Sequence, residues 1–413
     1  MVRDRLGCIQ GGRDLRAMSE HCEQRHFRMA ERLVEKTRAH GGLAPVDIER
    51  FWSEQDIAIR DPWSRSCPQV PLGVMMSSEC VFAELGVQEN WHRLYHDDEY
   101  RVSLNRRYND LALGIVGRRL LPEQIPDSSL RWPEVKGLHD IFEARNVWHN
   151  ESYWLQQSAR NVDELKALLD RVERRLENLR GFLLPAGWDE EKKRLLALGA
   201  QPPLYRGQRG PVTFATSIYG PENLVFLILD QPELAARFRD LILKAILERA
   251  RVLDEEAGHS PQTAPRGFYW CDDNSALLNA EMYEFFGYPI LKGVFDVYAP
   301  GPDDMRGQHS DSDMGHLLPV LGKLNLTTVN FGPKLTVSEI RRHLPRAVIH
   351  GQLAPFTFSR HEEVNIVAEF LRDYEMARDK RGLVFATAGS INNGSRLAGM
   401  RLIMAAIQIY GRY

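Results

Sequence analysis

The amino-acid sequence predicts an α/β protein, a (β/α)8 TIM barrel with a helical extension at its N-terminus. The first observation is a regular alternation from Gly210 onward, where short β-rich runs precede helical stretches in about six successive units. The second is the length, because 413 residues suffice for one large barrel with additions. The third is that the first half contains no Gly-x-Gly-x-x-Gly fingerprint, which disfavours an open doubly wound sheet.

Residues 1–65 are predicted to form the extension and residues 66–413 the barrel. Charged and helix-forming residues predict one helix within Arg13–His40. A second helix is expected around Pro45–Gln55, because a proline followed by acidic residues is typical of a first helical turn. We expect this arm to pack across the barrel or against a partner subunit.

The stretch between the arm and the alternating units must supply two further strands if eight are to close. Leu72–Met76 is one candidate, and Tyr108–Gly117, which ends in the apolar run LALGIVG, is another. A short helix is predicted at Glu79–Gly86. An amphipathic helix is predicted at Asn161–Arg180, with Asn161 as its N-cap. Residues 121–150 give no clear pattern.

The six alternating units account for the remainder of the chain. Their strands are predicted at GPVTFATSIYG, GFYWCDD, MRGQHSD, LTTVNF, AVIHGQL and GLVFATAG. The helices that follow them are predicted at Glu222–Ala257 with a break near Pro232, Ala280–Tyr298, Met314–Gly322, Val337–His343, Glu362–Ala377 and Arg396–Ile409.

Composition excludes several classes of protein. A formal net charge of −3 gives no overall positive field for nucleic acid. No apolar run approaches the ~20 residues that span a bilayer, and the charged N-terminus lacks the apolar segment of a signal peptide. The five cysteines are scattered without a CxxC pair, which favours a reducing compartment. We therefore expect a cytoplasmic protein.

A dense polar stretch at residues 304–316 marks the expected functional region. His309, Asp311 and Asp313 alternate there, and on an extended segment this spacing places all three side chains on one face. An imidazole and two carboxylates on one face suit metal binding or acid–base chemistry. The alternative is a solvated loop in which the aspartates and serines cap the next helix.

Polar residues also follow the other predicted strands, where the active site of a barrel lies. Six such strand ends in succession favour one shared pocket, although any single one is typical of a helix cap, and His350 alone is typical of a hydrogen-bonded core histidine. Cys271 is expected to be a small buried apolar residue. The candidates are Thr216, Ser217, Tyr219, Asp272, Asp273, Asn274, His309, Asp311, Asn330, His350, Gln352, Ser390, Asn392 and Asn393.

Two mechanisms fit this pocket. In the first, His309 and Asp311, together with Glu79 or Asp273, hold Zn²⁺ as a Lewis acid that activates a thiolate or polarises a methyl ether. In the second, no metal is required, and a carboxylate such as Asp272 or Asp311 stabilises positive charge on a substrate that loses CO2. In either case Tyr219, Asn330, His350, Gln352 and Asn392 are the expected substrate-binding residues.

From about Asn161 to its end the chain resembles the uroporphyrinogen decarboxylase (URO-D) superfamily, which also contains corrinoid- and thiol-linked methyltransferases. The segment GPVTFATSIYGPENLVFLILDQPELAARF is similar to the superfamily's Gly-Pro strand, Gly-x-Glu helix and D-x-P-E turn. WCDDNSALLNAEMYEFFGYPILKGVFD resembles its strand ending in Asp-Asp with the following helix. QHSDSDMGHLLPVLGKLNLTTVNFGP resembles its His strand, and RAVIHGQLAP and RGLVFATAGSINNGSRLAGMRLIMAAI resemble its last two barrel strands.

Departures from the superfamily's pattern narrow what the resemblance implies. The early strand PLGVMM lacks the R-Q-A-G-R segment of the porphyrinogen decarboxylase, so that reaction is disfavoured. The zinc methyltransferases carry His-x-Cys and a late cysteine. Here His309 is kept, Asp311 stands in the first cysteine's place, and Ala388-Gly389-Ser390 occupies the region of the second. The chain also lacks a D-x-H-x-x-G corrinoid motif, so any cobalamin would come on a separate corrinoid protein.

Three functions follow as hypotheses. The resemblance implies a methyltransferase or demethylase that acts on a small methylated or thiol-containing substrate. The alternatives are a cofactor-independent decarboxylase of a small carboxylated ring compound and a non-catalytic binding protein. A homodimer is expected, because superfamily members often pair and this chain carries the additional helical arm.

Overall fold

The computed structural model describes residues 21–413, and its first part is helical. The two helices expected in the N-terminal arm are confirmed, although residues 13–20 of the first prediction lie outside the described residues. The short helix near residue 80 is confirmed as well, after a 3₁₀ turn at Ser78–Cys80. The helices are α1 (Gln24–Ala39), α2 (Ile48–Ala58), α3 (Val81–Leu85), α4 (Trp91–His96) and α5 (Asp98–Val116).

Helix α5 corrects one prediction, because LALGIV is its last part and not a strand. The helix begins with an acidic first turn, Asp98 and Glu99, which favours a helix N-terminus. Val102, Asn105 and Tyr108 are buried at helical spacing. Since an apolar run of seven residues fits either element, only the preceding turns could have identified it as helical.

The next elements fall largely where the sequence gave no assignment. A two-stranded antiparallel hairpin connects through Asn150 and Glu151, whose positive φ values of 46° and 65° are typical of a two-residue hairpin turn. The amphipathic helix is confirmed with Asn161 as its cap, accepting a 3.0 Å hydrogen bond from Glu164 N. These elements are α6 (Leu138–Ile141), β1 (Arg145–His149), β2 (Ser152–Gln156), α7 (Val162–Glu177), α8 (Leu179–Leu183) and α9 (Trp188–Ala197).

The rest of the chain alternates between strands and helices, as the sequence predicts. Six strands form one parallel sheet in sequence order, β3-β4-β5-β6-β7-β8. The elements are β3 (Gly207–Arg209), α10 (Pro211–Tyr219), α11 (Pro221–Asp230), α12 (Pro232–Glu256), β4 (Phe268–Cys271), α13 (Ala280–Tyr298), β5 (Arg306–Ser310), α14 (Leu318–Gly322), β6 (Thr328–Phe331), α15 (Val337–His343), β7 (Val348–Leu353), α16 (Pro355–Ser359), α17 (Glu363–Ala377), β8 (Leu383–Thr387) and α18 (Leu397–Tyr410).

Helix α10 is the second correction, because GPVTFATSIYG was expected to be a strand. The first strand of the series is the three-residue β3, just before it. Pro211 occupies the first helical position, which suits its fixed φ, and nearly every residue of the helix is buried. A helix that is apolar all round has no polar face to reveal its period, so its sequence is easily confused with that of a buried strand.

Leu72–Met76, the other expected early strand, is present only as an isolated parallel bridge between Leu72 and Phe385 of β8. Gly73 N donates to Phe385 O at 2.8 Å. A Cβ at Gly73 would lie 2.4 Å from Val384 Cγ1, so glycine allows this close approach. The structure thus has six parallel strands with one short bridged segment beside β8, in place of the eight strands expected.

The described chain divides into two compact units. The first comprises residues 21–90, Tyr100–Glu123 and Asn330–Tyr413, and the second comprises Trp91–Glu99 and Gln124–Val329. No single helix within residues 21–413 is both long and apolar enough to cross a bilayer. Helices α10 and α11 reach that length and composition only as a pair, which is bent by 101°.

Candidate active site

The candidate site lies at the C-terminal ends of three neighbouring strands of the second unit. Arg209 of β3 is the register partner of Cys271 of β4, and Cys271 is in turn the register partner of His309 of β5. Because register partners on parallel strands project to the same face about 4.8 Å apart, these three residues form one row across the sheet. Arg209 is exposed and forms no ion pair with any of the described residues.

At the His309 end of this row, three side chains converge. Asp273, His309 and Asp311 each offer a ligand atom, and these atoms all lie within 4.8 Å of one another. His309 Nε2 lies 3.3 Å from Asp311 Oδ1. Asp311 N donates a hydrogen bond of 2.7 Å to Asp273 Oδ1, which ties the loop after β5 to the end of β4. The sequence predicted His309 and Asp311 as partners, with Asp273 or Glu79 as the third residue.

This donor set fits a divalent metal such as zinc. Zinc is bound by imidazole nitrogen and carboxylate oxygen at about 2.0–2.2 Å, and in a tetrahedral arrangement such ligand atoms lie about 3.3–3.6 Å apart. The 3.3 Å separation of His309 Nε2 and Asp311 Oδ1 falls in that range. Three protein ligands leave one tetrahedral position open, which is typical of catalytic zinc sites.

Asp313 does not belong to this cluster. Strand β5 ends at Ser310, so the alternation expected for residues 309–313 does not continue beyond it. The Asp313 carboxylate instead accepts a hydrogen bond of 3.4 Å from Gly315 N, at the start of a 3₁₀ turn. The loop interpretation therefore describes Asp313, whereas the metal-binding interpretation fits His309 and Asp311.

Asp272 lies on the opposite face of the sheet from Cys271 and His309. It is completely buried, and its Oδ1 accepts a hydrogen bond of 2.8 Å from Thr213 N in the first turn of α10. Burial raises the pKa of this carboxyl to about 6. Its backbone N–H donates to His309 O at 2.9 Å. This geometry supports a positioning role for Asp272 and separates it from the three converging side chains.

Cys271 differs from the expectation of a buried apolar residue, because it is exposed in the structure. Partial burial raises the pKa of its thiol, and the carboxylates of Asp273 and Asp311 raise it further. The thiol of the metal-free protein is therefore protonated at neutral pH and a weak nucleophile. Sequence reasoning missed its exposure because β4 alternates between the two faces of the sheet, and only the register shows that Cys271 shares a face with His309.

Tyr219 lies at the end of α10 and not at the end of a strand. It is buried, and burial raises the pKa of its phenol. The same helix connects to the loop after β4 through Thr216, whose Oγ1 accepts a hydrogen bond of 2.7 Å from Asn274 Nδ2. Thr216 and Asn274 thus join the helix to the residues that follow β4.

The other expected substrate-binding residues, Asn330, His350, Gln352 and Asn392, belong to the first unit. The Asn330 amide donates to His350 O at 2.5 Å and to Thr387 O at 2.8 Å, so it bridges β7 and β8. Gln352 is completely buried and donates to Leu335 O at 2.8 Å. Burial lowers the pKa of His350, which favours its neutral form. Asn392 is half-buried. A pocket shared with Asp273 and His309 stays a prediction.

The fold of the chain is similar to that of a solved structure, a methyltransferase from Methanosarcina mazei. The two chains superpose with a TM-score of 0.50 at 14% sequence identity, and the alignment covers 82% of this chain and 93% of that one. At this identity the likeness concerns the fold alone. No protein-family model matches the chain, and no curated protein sequence matches it.

Proposed function

We propose that this protein is a zinc-dependent methyltransferase or demethylase that acts on a small methylated or thiol-containing substrate. The observation that carries the proposal is the convergence of Asp273, His309 and Asp311 at the ends of β4 and β5. A likeness in fold to a protein named methyltransferase adds support. The metal would be held by these three side chains, with one position left for the substrate.

The two carboxylates and the neutral imidazole suit a dication electrostatically. When ionised, Asp273 and Asp311 carry two negative charges, which balance the charge of Zn²⁺ and favour its retention. Bound zinc would supply a Lewis acid that lowers the pKa of a substrate thiol. Asp273 would be held in place by the hydrogen bond from Asp311 N, and His309 by the ladder bond between its carbonyl and Asp272 N.

Membership of the URO-D superfamily and closure of the sheet as an eight-stranded barrel belong to this proposal too. The six parallel strands and the bridge between Leu72 and Phe385 support the barrel. In such a barrel the ends of β4 and β5 would lie at the mouth, where active sites of this fold are found. A separate corrinoid protein as methyl donor and a homodimeric assembly are further expectations of the proposal.

Decarboxylation is the alternative reaction. A decarboxylase in which Asp272 is the carboxylate next to the substrate is disfavoured, because Asp272 is completely buried on the other face of the sheet. A version with Asp311 needs no metal. The two reactions therefore differ in metal dependence, and a metal-free protein with full activity would favour the decarboxylase.

The proposed activity is tested with methylcobalamin as methyl donor and a panel of small thiols as acceptors. In this transfer the thiol loses its proton, a sulfur–carbon bond forms, and the electron pair of the broken cobalt–carbon bond stays on cobalt. We expect zinc-loaded protein to consume methylcobalamin faster than zinc alone does, as followed by visible absorbance. His309→Ala should lower the rate by about 10²-fold or more, since it removes a metal ligand.

Asp313→Asn is the matched control, because Asp313 is an aspartate of the same loop that accepts a local hydrogen bond from Gly315 N and lies outside the cluster. It should keep the wild-type rate. Equal turnover by zinc-loaded and zinc-free protein, or by wild type and His309→Ala, would contradict the proposal.

A further inference from the structure

Cys271 is the fourth potential metal ligand on the face of the sheet that carries the site. Its register partner is His309, so the two residues lie side by side about 4.8 Å apart on neighbouring strands. Asp273 follows it by two residues, and both Asp273 and Asp311 lie close enough to act on its sulfur electrostatically. Cys271 thus lies beside His309 and within electrostatic range of both carboxylates of the cluster.

The exposure of Cys271 is unusual for its residue type. Free cysteines are among the most buried residues in proteins, and Cys67 and Cys80 of this chain follow that rule. Cys271 is the exposed one among the cysteines of residues 21–413. An exposed thiol next to an imidazole and two carboxylates is a poor packing element and a good soft ligand, because thiolate binds zinc at about 2.3 Å.

We propose that Cys271 supplies a thiolate ligand to the metal held by Asp273, His309 and Asp311, and so occupies, in the resting protein, the fourth tetrahedral position from which an incoming substrate would displace it. This inference rests on the proposed metal site. In the structure the sulfur lies outside the group of mutually close ligand atoms. Ligation would therefore require a change of the Cys271 rotamer, in which rotation about the Cα–Cβ bond moves only the sulfur.

Ligation by Cys271 requires the loss of one proton. The S–H bond breaks, its electron pair forms the bond to the metal, and the proton passes to solvent, so nothing is oxidised or reduced. The two carboxylates raise the pKa of the Cys271 thiol, whereas a bound metal dication lowers it, because a thiol that coordinates such an ion is deprotonated. Metal binding to the wild-type protein should therefore release one more proton than binding to a variant without this thiol.

Cobalt(II) is the probe for this ligand, because thiolate ligation gives a near-ultraviolet charge-transfer band that carboxylate and imidazole ligation do not give. The chain is stripped of metal with a chelator, dialysed and titrated with CoCl2, and proton release is followed with a pH indicator. We expect the band in wild type. Cys271→Ser and Cys271→Ala should still bind cobalt, but with an affinity at least about tenfold lower than that of wild type. Their cobalt complexes should lack the band, and binding should release one proton fewer.

Cys22→Ser is the matched control, since it removes a half-buried thiol of the other unit, and it should keep the band. Cobalt bound to wild type without the band, or a band that persists in both Cys271 variants, would overturn the role of Cys271 and leave the three-residue site standing. Failure of wild type to bind cobalt at all would overturn the proposed metal site and this inference with it.

Discussion

Asp311 N donates a hydrogen bond of 2.7 Å to Asp273 Oδ1, and this bond joins the ends of two neighbouring strands. It fixes the loop after β5 at the point where the chain leaves the strand, directly after Ser310. The Asp273 carboxylate thus has two functions. It accepts the hydrogen bond that orients the loop, and it offers a ligand atom to a metal. The candidate site is therefore a product of backbone pairing as well as of side-chain chemistry.

The double role of Asp273 predicts different results for two substitutions. Asp273→Asn keeps an oxygen acceptor for Asp311 N but removes the charge, so it should lower zinc affinity by at least about tenfold with little change in Tm. Asp273→Ala removes both functions and should also lower the free energy of unfolding by roughly 1 kcal/mol. Zinc competition and thermal denaturation measure the two effects. Identical Tm values for the two variants would contradict the structural role of this hydrogen bond.

His309 is predicted to matter more for activity than for stability. It lies at a polar strand end with 17% of its side chain exposed, so its removal should lower the free energy of unfolding by only about 1 kcal/mol. Loss of a catalytic or ligating group should lower turnover by about 10²–10⁴-fold. Thermal melts of His309→Ala, paired with the methylcobalamin assay, test this prediction. A variant that melts several degrees lower yet turns over normally would show that His309 is structural.

Asp272 is predicted to make stability depend on pH. Burial raises its pKa in the folded protein to about 6, above an unfolded value near ~3.9. The folded state therefore binds this proton more tightly than the unfolded state does. The resulting contribution to the free energy of unfolding is fully present below pH ~4 and is lost as pH rises through ~6. Asp272→Asn keeps an acceptor for Thr213 N but cannot titrate.

The quantity to measure is the difference in free energy of unfolding between wild type and Asp272→Asn at several pH values. We expect wild type to lose on the order of 2–3 kcal/mol relative to the variant between pH 4 and pH 7. Other buried carboxyls, such as Glu369, act equally in both proteins and cancel in the difference. A difference that is constant or rises in favour of wild type over this range would be contrary to the prediction.

Asn330 is predicted to be important for stability, whatever its contact with substrate. Its amide donates to carbonyls of both β7 and β8, so Asn330→Ala leaves two carbonyl oxygens without these donors. The free energy of unfolding should fall by roughly 1–3 kcal/mol. Urea denaturation of Asn330→Ala, with Asn392→Ala as a half-buried control, measures this effect. An unchanged midpoint of urea denaturation for Asn330→Ala would contradict the stabilising role of these two hydrogen bonds.

The α/β alternation was predictable because its strands are short and apolar and because some of its helices begin with a side-chain cap, such as Asn279 of α13 and Thr336 of α15. The assignment of secondary structure failed for α10. Its residues are almost all buried, so apolar and polar positions show no helical periodicity. The assignment failed for α5 because the helix starts well before the apolar run that resembled a strand. A short apolar run therefore does not show whether it belongs to a longer helix that begins earlier in the sequence.

The candidate site was predictable only in part. The chemistry of His309 and Asp311 is visible from their types and spacing. The roles of Asp272, Cys271 and Arg209 depend on which strand lies beside which and in what register. A shift of one residue in register moves a side chain to the opposite face, so sequence alone could not separate Asp272 from Asp273.

Zinc content is the most direct test of the central claim. Wild type, Asp273→Asn, His309→Ala and the control Asp313→Asn are purified without chelator, incubated with ZnSO4, passed through a desalting column and analysed for metal by mass spectrometry. We predict about one zinc per chain in wild type and in Asp313→Asn, and well under half of that in the two cluster variants. A zinc content that is the same in all four proteins, or close to zero in wild type, would contradict a metal site formed by Asp273, His309 and Asp311.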